Sequence, residues 1–283
     1  MRADGKKVKD AQPMYRVAAY IMKERNDAQN MIVLDIPEEP LHRYINFRRK
    51  ANKPVSHLAL ILAAYVRTVA EFPALNRFVV NKRIYDRNEL AVGMVVLKPG
   101  QTDGTINKMY FDLTDNLDTV QDKILAYIDE NRAVGDTNST DKAINILLSI
   151  PGLVSFAVGL FKLMDKWGLL PKKLIDASPF HTSMVISNLA SIRTNHIFHH
   201  CYNFGTTSLL LTIGNMREVA KRKGGEICFE RCIPLGLVMD ERICNGSYFA
   251  QAFAALKKYL ANPEILETVP DKINRPVPYK RTK

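Results

Sequence analysis

Residues 55–73, VSHLALILAAYVRTVAEFP, are apolar on almost every side of a helical wheel. A surface helix carries one apolar stripe, whereas a helix that is apolar all round needs partners on all its faces. The rest of the chain must therefore supply a layered core that encloses it. Pro73 ends the run, because proline cannot continue the helical hydrogen-bond ladder, and Pro54 suits a first turn. A chain of 283 residues, 47% of them hydrophobic and 24% charged, is long enough to build that core.

The flanking segments say what the layers are. Residues 31–37, MIVLDIP, read as a strand stopped by Pro37, between a short helix over 14–30 and a basic amphipathic helix over 38–52. Strands are expected at 77–80, 90–97 and 107–113, then an amphipathic helix over 117–131. A second strand-rich half follows at 184–189, 209–213 and 227–239, with Gly224 and Gly225 as a turn. A helix over 247–261 closes the domain. Strands and helices do not alternate as βαβ units, which argues for an α+β sandwich and against a doubly wound sheet. Residues 1–13 read as a loose segment, 14–268 as one domain, and 269–283 as a basic, proline-containing tail.

Residues 144–161, INILLSIPGLVSFAVGLF, are eighteen without a charge. That length is the threshold for a transmembrane helix. Pro151, Gly152, Gly159, Asn145 and two serines argue against a span, as does its place between elements that must share one core. The expectation is a helix packed on the domain or resting on a membrane surface. WGLLP, 167–171, ends it.

The formal charge is +11, gathered in short basic groups such as Arg48, Arg49, Lys50 and Lys221, Arg222, Lys223. Such groups are commonly solvated faces; they also suit an anionic partner, whether nucleotide phosphates, an acidic carrier or an anionic lipid surface. No zinc finger, RNP-type aromatic motif or basic recognition helix is found, so nucleic acid is not expected. The start of the chain is charged, with no signal-peptide core, so the four cysteines read as free thiols in a cytoplasmic protein, peripheral to the membrane at most. Cys228 and Cys232 lie four apart, far from any histidine, and no metal is expected. There is no nucleotide-binding glycine loop and no nucleophile elbow.

Three stretches, in order along the chain, carry a family likeness. The first is 55–80, where Pro73, Leu75 and Asn76 precede a strand. The second is MVISNLASI, 184–192, with Ser187, Asn188 and Leu189 in place and Ala190 replacing a glycine, followed by TSLLLTIG, 207–214. The third is 237–266, with the turn D-E-R-I-C-N-G and a closing helix ending in N-P-E. This pattern resembles the catalytic domain of the 2-oxoacid dehydrogenase dihydrolipoamide acyltransferases and chloramphenicol acetyltransferase. No lipoyl domain or Ala/Pro-rich linker accompanies it, so the likeness is to a standalone catalytic domain.

The resemblance implies an α+β fold, a two-layer α/β sandwich of the CoA-dependent acyltransferase type. It implies a homotrimer with its active site in a channel between subunits. Coenzyme A or acyl-CoA would enter from one side, and a thiol or hydroxyl acceptor, on a small molecule or an acyl carrier, from the other. In the family a histidine of the H-x-x-x-D-G turn removes the acceptor's proton. A hydroxyl near S-N-L stabilises the oxyanion, and the turn's aspartate is held by an arginine. Here Asp240, Arg242 and Gly246 keep the pattern, Ser187 offers the hydroxyl, Asn245 takes the aspartate position, and Arg16 is the candidate arginine. Glu241 stands where the histidine should be.

That exchange matters. A carboxylate, of ordinary pKa about 4.3, pulls less on a thiol of about 8.5 than an imidazole of about 6.5 does. Enclosure in the channel is expected to raise Glu241 and repair the mismatch. A carboxylate also repels an oncoming thiolate, which a protonated imidazole attracts. Three readings stay open: acyl transfer using Glu241, a catalytically silent binding or assembly protein, and another reaction in the same channel. His181, His196, His199 and His200 lie nearby in sequence. If 196–200 is a strand, at most one of the last two faces the channel. Cys244 lies in the turn but reads as a small buried residue.

Overall fold

The computed structural model describes residues 2–97, 104–133 and 149–274. One large mixed sheet runs β2 (Gln29–Pro37), β10 (Glu226–Asp240), β8 (Leu209–Ile213), β7 (Met184–Asn188), β5 (Leu90–Leu97) and β6 (Gly104–Phe111). β9 (Arg217–Lys223) pairs with the N-terminal half of β10, as a hairpin closed by Gly224 and Gly225, both at positive φ. β5–β7 and β7–β8 are parallel, and the other pairs are antiparallel. A small second sheet joins β1 (Gly5–Lys7), β4 (Arg83–Arg87) and β3 (Arg77–Val80).

The helix expected to organise the core does so. α3 (His57–Glu71) is buried at every position from Ala59 to Ala70. It packs among α2 (Glu38–Lys50), α4 (Leu117–Ala133) and α7 (Gly246–Ala261), with the sheet beneath. Ser56 caps it, its hydroxyl accepting from the Ala59 N–H, so Pro54 lies outside the helix and not in its first turn. Arg67 is a charge inside this apolar helix. It is tolerated because its guanidinium donates to the carbonyls of Ile265 and Thr268.

The strands show period-two sorting. Leu209, Leu211 and Ile213 of β8, with Leu235, Leu237 and Met239 of β10, join the helix-side core. Leu210 and Val238 point the other way and meet Cys201 and Val185. The second face is covered there by an irregular strap over 194–201. Thr212 Oγ1 donates to the Ile197 carbonyl at 2.6 Å, and the Asn215 N–H donates to the Thr194 carbonyl. Gly236 is required by this strap, because a Cβ there would sit 2.7 Å from the Ile197 carbonyl oxygen.

Three expectations are corrected. Within the segment 1–13 that was expected to be loose, residues 2–7 are held: β1 pairs with β4, and Arg2 and Asp4 are buried and paired. The first helix is shorter than 14–30. α1 (Pro13–Ile21) gives way to a 3₁₀ turn at Asn26–Ala28, and β2 starts at Gln29. Residues 196–200 form no strand, so alternation does not separate His199 from His200. Their rings stack, 5.3 Å apart. Within 144–161, residues 144–148 lie outside the described residues. Residues 153–161 lie in α5 (Leu153–Trp167), ended by Gly168 at positive φ and followed by α6 (Lys172–Ala177). Among the described residues no helix is long and apolar enough to cross a membrane.

Candidate active site

The turn joining β10 to α7 carries the residues picked out by motif. β10 delivers Asp240 at its last position, fully buried. Arg242 folds back on it with Nε at 2.8 Å from Oδ1 and Nη2 at 2.7 Å from Oδ2. Its third nitrogen donates to the Met22 and Lys23 carbonyls. Arg25 also approaches, Nε to Asp240 Oδ2 at 3.6 Å. Burial lowers the Arg25 pKa, opposed by Asp240. Two guanidinium groups thus share one buried carboxylate, and the excess positive charge is spread over backbone carbonyls.

Arg16 has no place in this network. It is exposed on α1, and the guanidinium groups against the turn belong to Arg25 and Arg242. Asn245 needs no arginine, since its Oδ1 accepts the Tyr248 N–H at 2.6 Å and caps α7. Gly246 opens that helix, with open space where a Cβ would sit.

Glu241 is held without being enclosed. Its N–H donates to the Ala28 carbonyl at 2.8 Å, and Oε2 accepts from Asn30 Nδ2 at 2.6 Å. The residue is only half-buried in a single chain. Asn30 on edge strand β2 was not foreseen. Nothing in its local sequence marks it, because its role comes from the register that sets Asn30 beside Met239. Arg25 was missed for the same reason, as one cation among several.

Ser187 lies elsewhere. It is level with Thr212 and, across β8, with Gly236. Glu241 is five positions beyond Gly236, roughly 16 Å along the strand direction at ~3.3 Å per residue. One chain does not bring Ser187 and Glu241 together.

Of the histidines, His199 and His200 cluster with Tyr202 on the strap, and His196 sits beside Gly214 and Gly236. His181 is 2% exposed and belongs to another region, against the Phe161 and Phe204 rings. Its Nδ1 meets Ser178 Oγ at 2.8 Å, and its Nε2 is 3.4 Å from Asp165 Oδ1, a contact that is ionic only when the ring is protonated. Two of the thiols are poor nucleophiles: burial pushes Cys201 up to about 12 and raises Cys244 further. Among the described residues no three His, Cys, Asp or Glu side chains converge as a metal set.

Behind the turn is a cavity of about 380 Å³. Lys23, Arg25, Lys82, Lys162, Lys166 and Arg242 line it, against Glu24 and Asp165. Asp165 is already engaged by Arg2, at 2.7 Å.

Residues 181–267, which carry Ser187, the strap and the whole turn, match the family described as 2-oxoacid dehydrogenases acyltransferase (catalytic domain). The chain has the chloramphenicol acetyltransferase-type fold. A probable dihydrolipoamide acetyltransferase of Listeria monocytogenes 4b F2365 superposes with a TM-score of 0.57 at 12% identity, over 91% of this chain and 95% of that one. The dihydrolipoamide acetyltransferase of Azotobacter vinelandii gives 0.57 at 13%, over 89% and 88%. Chloramphenicol acetyltransferase gives 0.53 at 12%, over 90% and 99%. No curated protein sequence matches the chain significantly. The two-layer α/β sandwich expected from the motifs is the architecture found, and the likeness covers the catalytic domain.

Proposed function

We propose that this protein is a homotrimeric acyltransferase that moves an acyl group between coenzyme A and a thiol or hydroxyl acceptor, with Glu241 as the base. The observation that carries the reading is the presentation of Glu241. A turn locked by Asp240, Arg242 and Arg25 holds its backbone, and Asn30 orients a carboxylate that remains accessible. The structure of the Azotobacter enzyme addressed the roles of a serine, a histidine and an asparagine in its catalytic mechanism. That histidine and asparagine are four positions apart, as Glu241 and Asn245 are here.

In this reading Glu241 accepts the acceptor's proton as the thiol or hydroxyl attacks the thioester carbonyl. Ser187 of a neighbouring subunit donates to the oxyanion. Collapse breaks the carbon–sulfur bond, and the leaving thiolate takes the proton back from Glu241, which balances the step. The separation of Ser187 from Glu241 within one chain supports a site shared between subunits. So do Ile227 and Phe229, 73% and 70% exposed on the β9–β10 hairpin. Light scattering is expected to give a trimer at micromolar concentration, and a clean monomer removes the shared site.

A silent binding or assembly protein is the second reading. It is favoured by one observation: the neutral Asn30 amide beside Glu241 does nothing to offset the repulsion between a carboxylate and a thiolate or oxyanion. Acyl-CoA turnover followed with a thiol reagent separates the two. Glu241→Gln keeps the side chain's shape and is expected to abolish release of coenzyme A thiol with the trimer intact. Glu241→His is expected to retain or raise it. A fully active Gln variant rules out the base, and a wild-type protein with no turnover on any acyl-CoA favours the silent reading.

A further inference from the structure

The outer side of α5 is unlike a solvated helix face. Phe156, Leu160, Leu163 and Trp167 follow one another at spacings of four, three and four, and are 68%, 45%, 53% and 62% exposed. That spacing places them in one stripe roughly 16 Å long, at ~1.5 Å rise per residue. The opposite side packs inward through Phe161 onto Phe204 and His181. Beside the stripe, also four apart, lie Lys162 and Lys166, both lining the cationic cavity.

Across that cavity Lys82 sits 4.9 Å from the ring of Tyr20 on α1. α1 is a second helix with exposed apolar residues, Met14 and Ile21 each at 72%. Two helices with exposed apolar side chains thus meet an opening lined by six cations and two carboxylates, α5 through Lys162 and Lys166 and α1 through the contact of Tyr20 with Lys82. Arg25, 5% exposed, reaches the same cavity with an Nε that makes no hydrogen bond.

We infer that α5 docks this protein onto an anionic phospholipid membrane, with the Phe156–Trp167 stripe entering the interface and Lys162 and Lys166 meeting lipid phosphates. The charge decides between occupants. Another copy of this chain, at +11, would bring like charge toward the lysines, whereas an anionic leaflet brings the complement. An interfacial helix combines an apolar stripe with lysines beside it. The inference is independent of any chemistry at Glu241.

Trp167, the only tryptophan in the chain, reports on the stripe directly. In lipid-free protein its emission is expected at the wavelength of a water-exposed indole. Phosphatidylglycerol/phosphatidylcholine vesicles should shift it to the blue, and pure phosphatidylcholine vesicles should do so at least tenfold more weakly. Lys162→Gln with Lys166→Gln is expected to weaken binding to the anionic vesicles roughly 25-fold, at about fivefold per lysine. Leu160→Gln with Leu163→Gln should reduce both binding and shift. Emission already blue in the absence of lipid, and unchanged by vesicles, would mean that protein covers the stripe and would overturn the inference. So would binding that is indifferent to lipid charge and to both double variants.

Discussion

α3 and α5 are both fifteen residues long and both largely apolar, yet their surroundings are opposite. α3 has twelve buried residues, and α5 has one, Asp165, which is a charge. α3 lies between the sheet and its neighbouring helices. α5 is attached at a side of the molecule, through the Phe161 and Phe204 rings and through Arg2, which donates to both the carbonyl and the carboxylate of Asp165. An all-round apolar pattern states that a helix needs partners; it does not say that its own chain supplies them. α3 organises the fold, and α5 offers a surface.

The sharpest way to break this contrast is a matched pair of truncations. Leu62→Ala removes a side chain with 0% exposure and is expected to cost about 2–5 kcal/mol in urea unfolding. Leu163→Ala, at 53% exposure, is expected to stay within about 0.5 kcal/mol. Equal losses would mean that α5 is core after all.

A smaller effect tests how α5 is held. Asp165→Ala leaves Arg2 with Asp4 as its remaining carboxylate, and a buried donor without its acceptor costs about 1–3 kcal/mol. The loss should be local. Limited proteolysis is expected to cut within 153–171 while the far-ultraviolet spectrum is retained. A variant that instead unfolds as a whole would show that the N-terminal segment and α5 belong to the central cooperative unit.

The same contrast explains what the sequence disclosed. Residues 90–97 and 209–213 were placed to the residue because each is a short apolar run bounded by turn signals, and α3 because nothing else suits such a run. The D-E-R-I-C-N-G turn was legible because the family it resembles keeps particular residues there at fixed spacing. Arg25, Asn30 and the strap over 194–201 were not. Their roles come from register, from Gln29 opposite Asp240 and from Cys201 packed under Leu210 and Val238, and pairings distant in sequence leave no local pattern. β1 was read as loose because a glycine and two lysines look solvated until Arg2 and Asp4 beside them find each other. Arg16 was singled out and Arg25 passed over for the same reason: a cation's sequence position does not tell which carboxylate it reaches.

The smallest expected effect is a pH dependence that compares the histidine under α5 with the one at the start of α3. Burial lowers the His181 pKa, against the opposing pull of Asp165, and burial likewise lowers His57, against Glu38. In both cases the unfolded chain takes up a proton below about pH 6.5 that the folded chain resists, so stability falls as the pH drops from 7 toward 5. Asp165 is also raised by burial, but His181 and Arg2 outweigh that and leave it lowered. Its contribution is therefore present above about pH 4 and lost only below, outside this window. The slope from one histidine is at most about 1.4 kcal/mol per pH unit. His181→Gln is expected to flatten the decline more than His57→Gln, because His181 is almost fully buried and His57 only half. Urea midpoints at pH 5, 6 and 7 for the three proteins decide it. A decline that His181→Gln leaves unchanged would show that burial does not shift the ring, whereas a decline that His181→Gln steepens would show that the ring is protonated against Asp165 in the fold, and that α5 is held by a charged triad of Arg2, Asp165 and His181 and not by a neutral, aromatic seat.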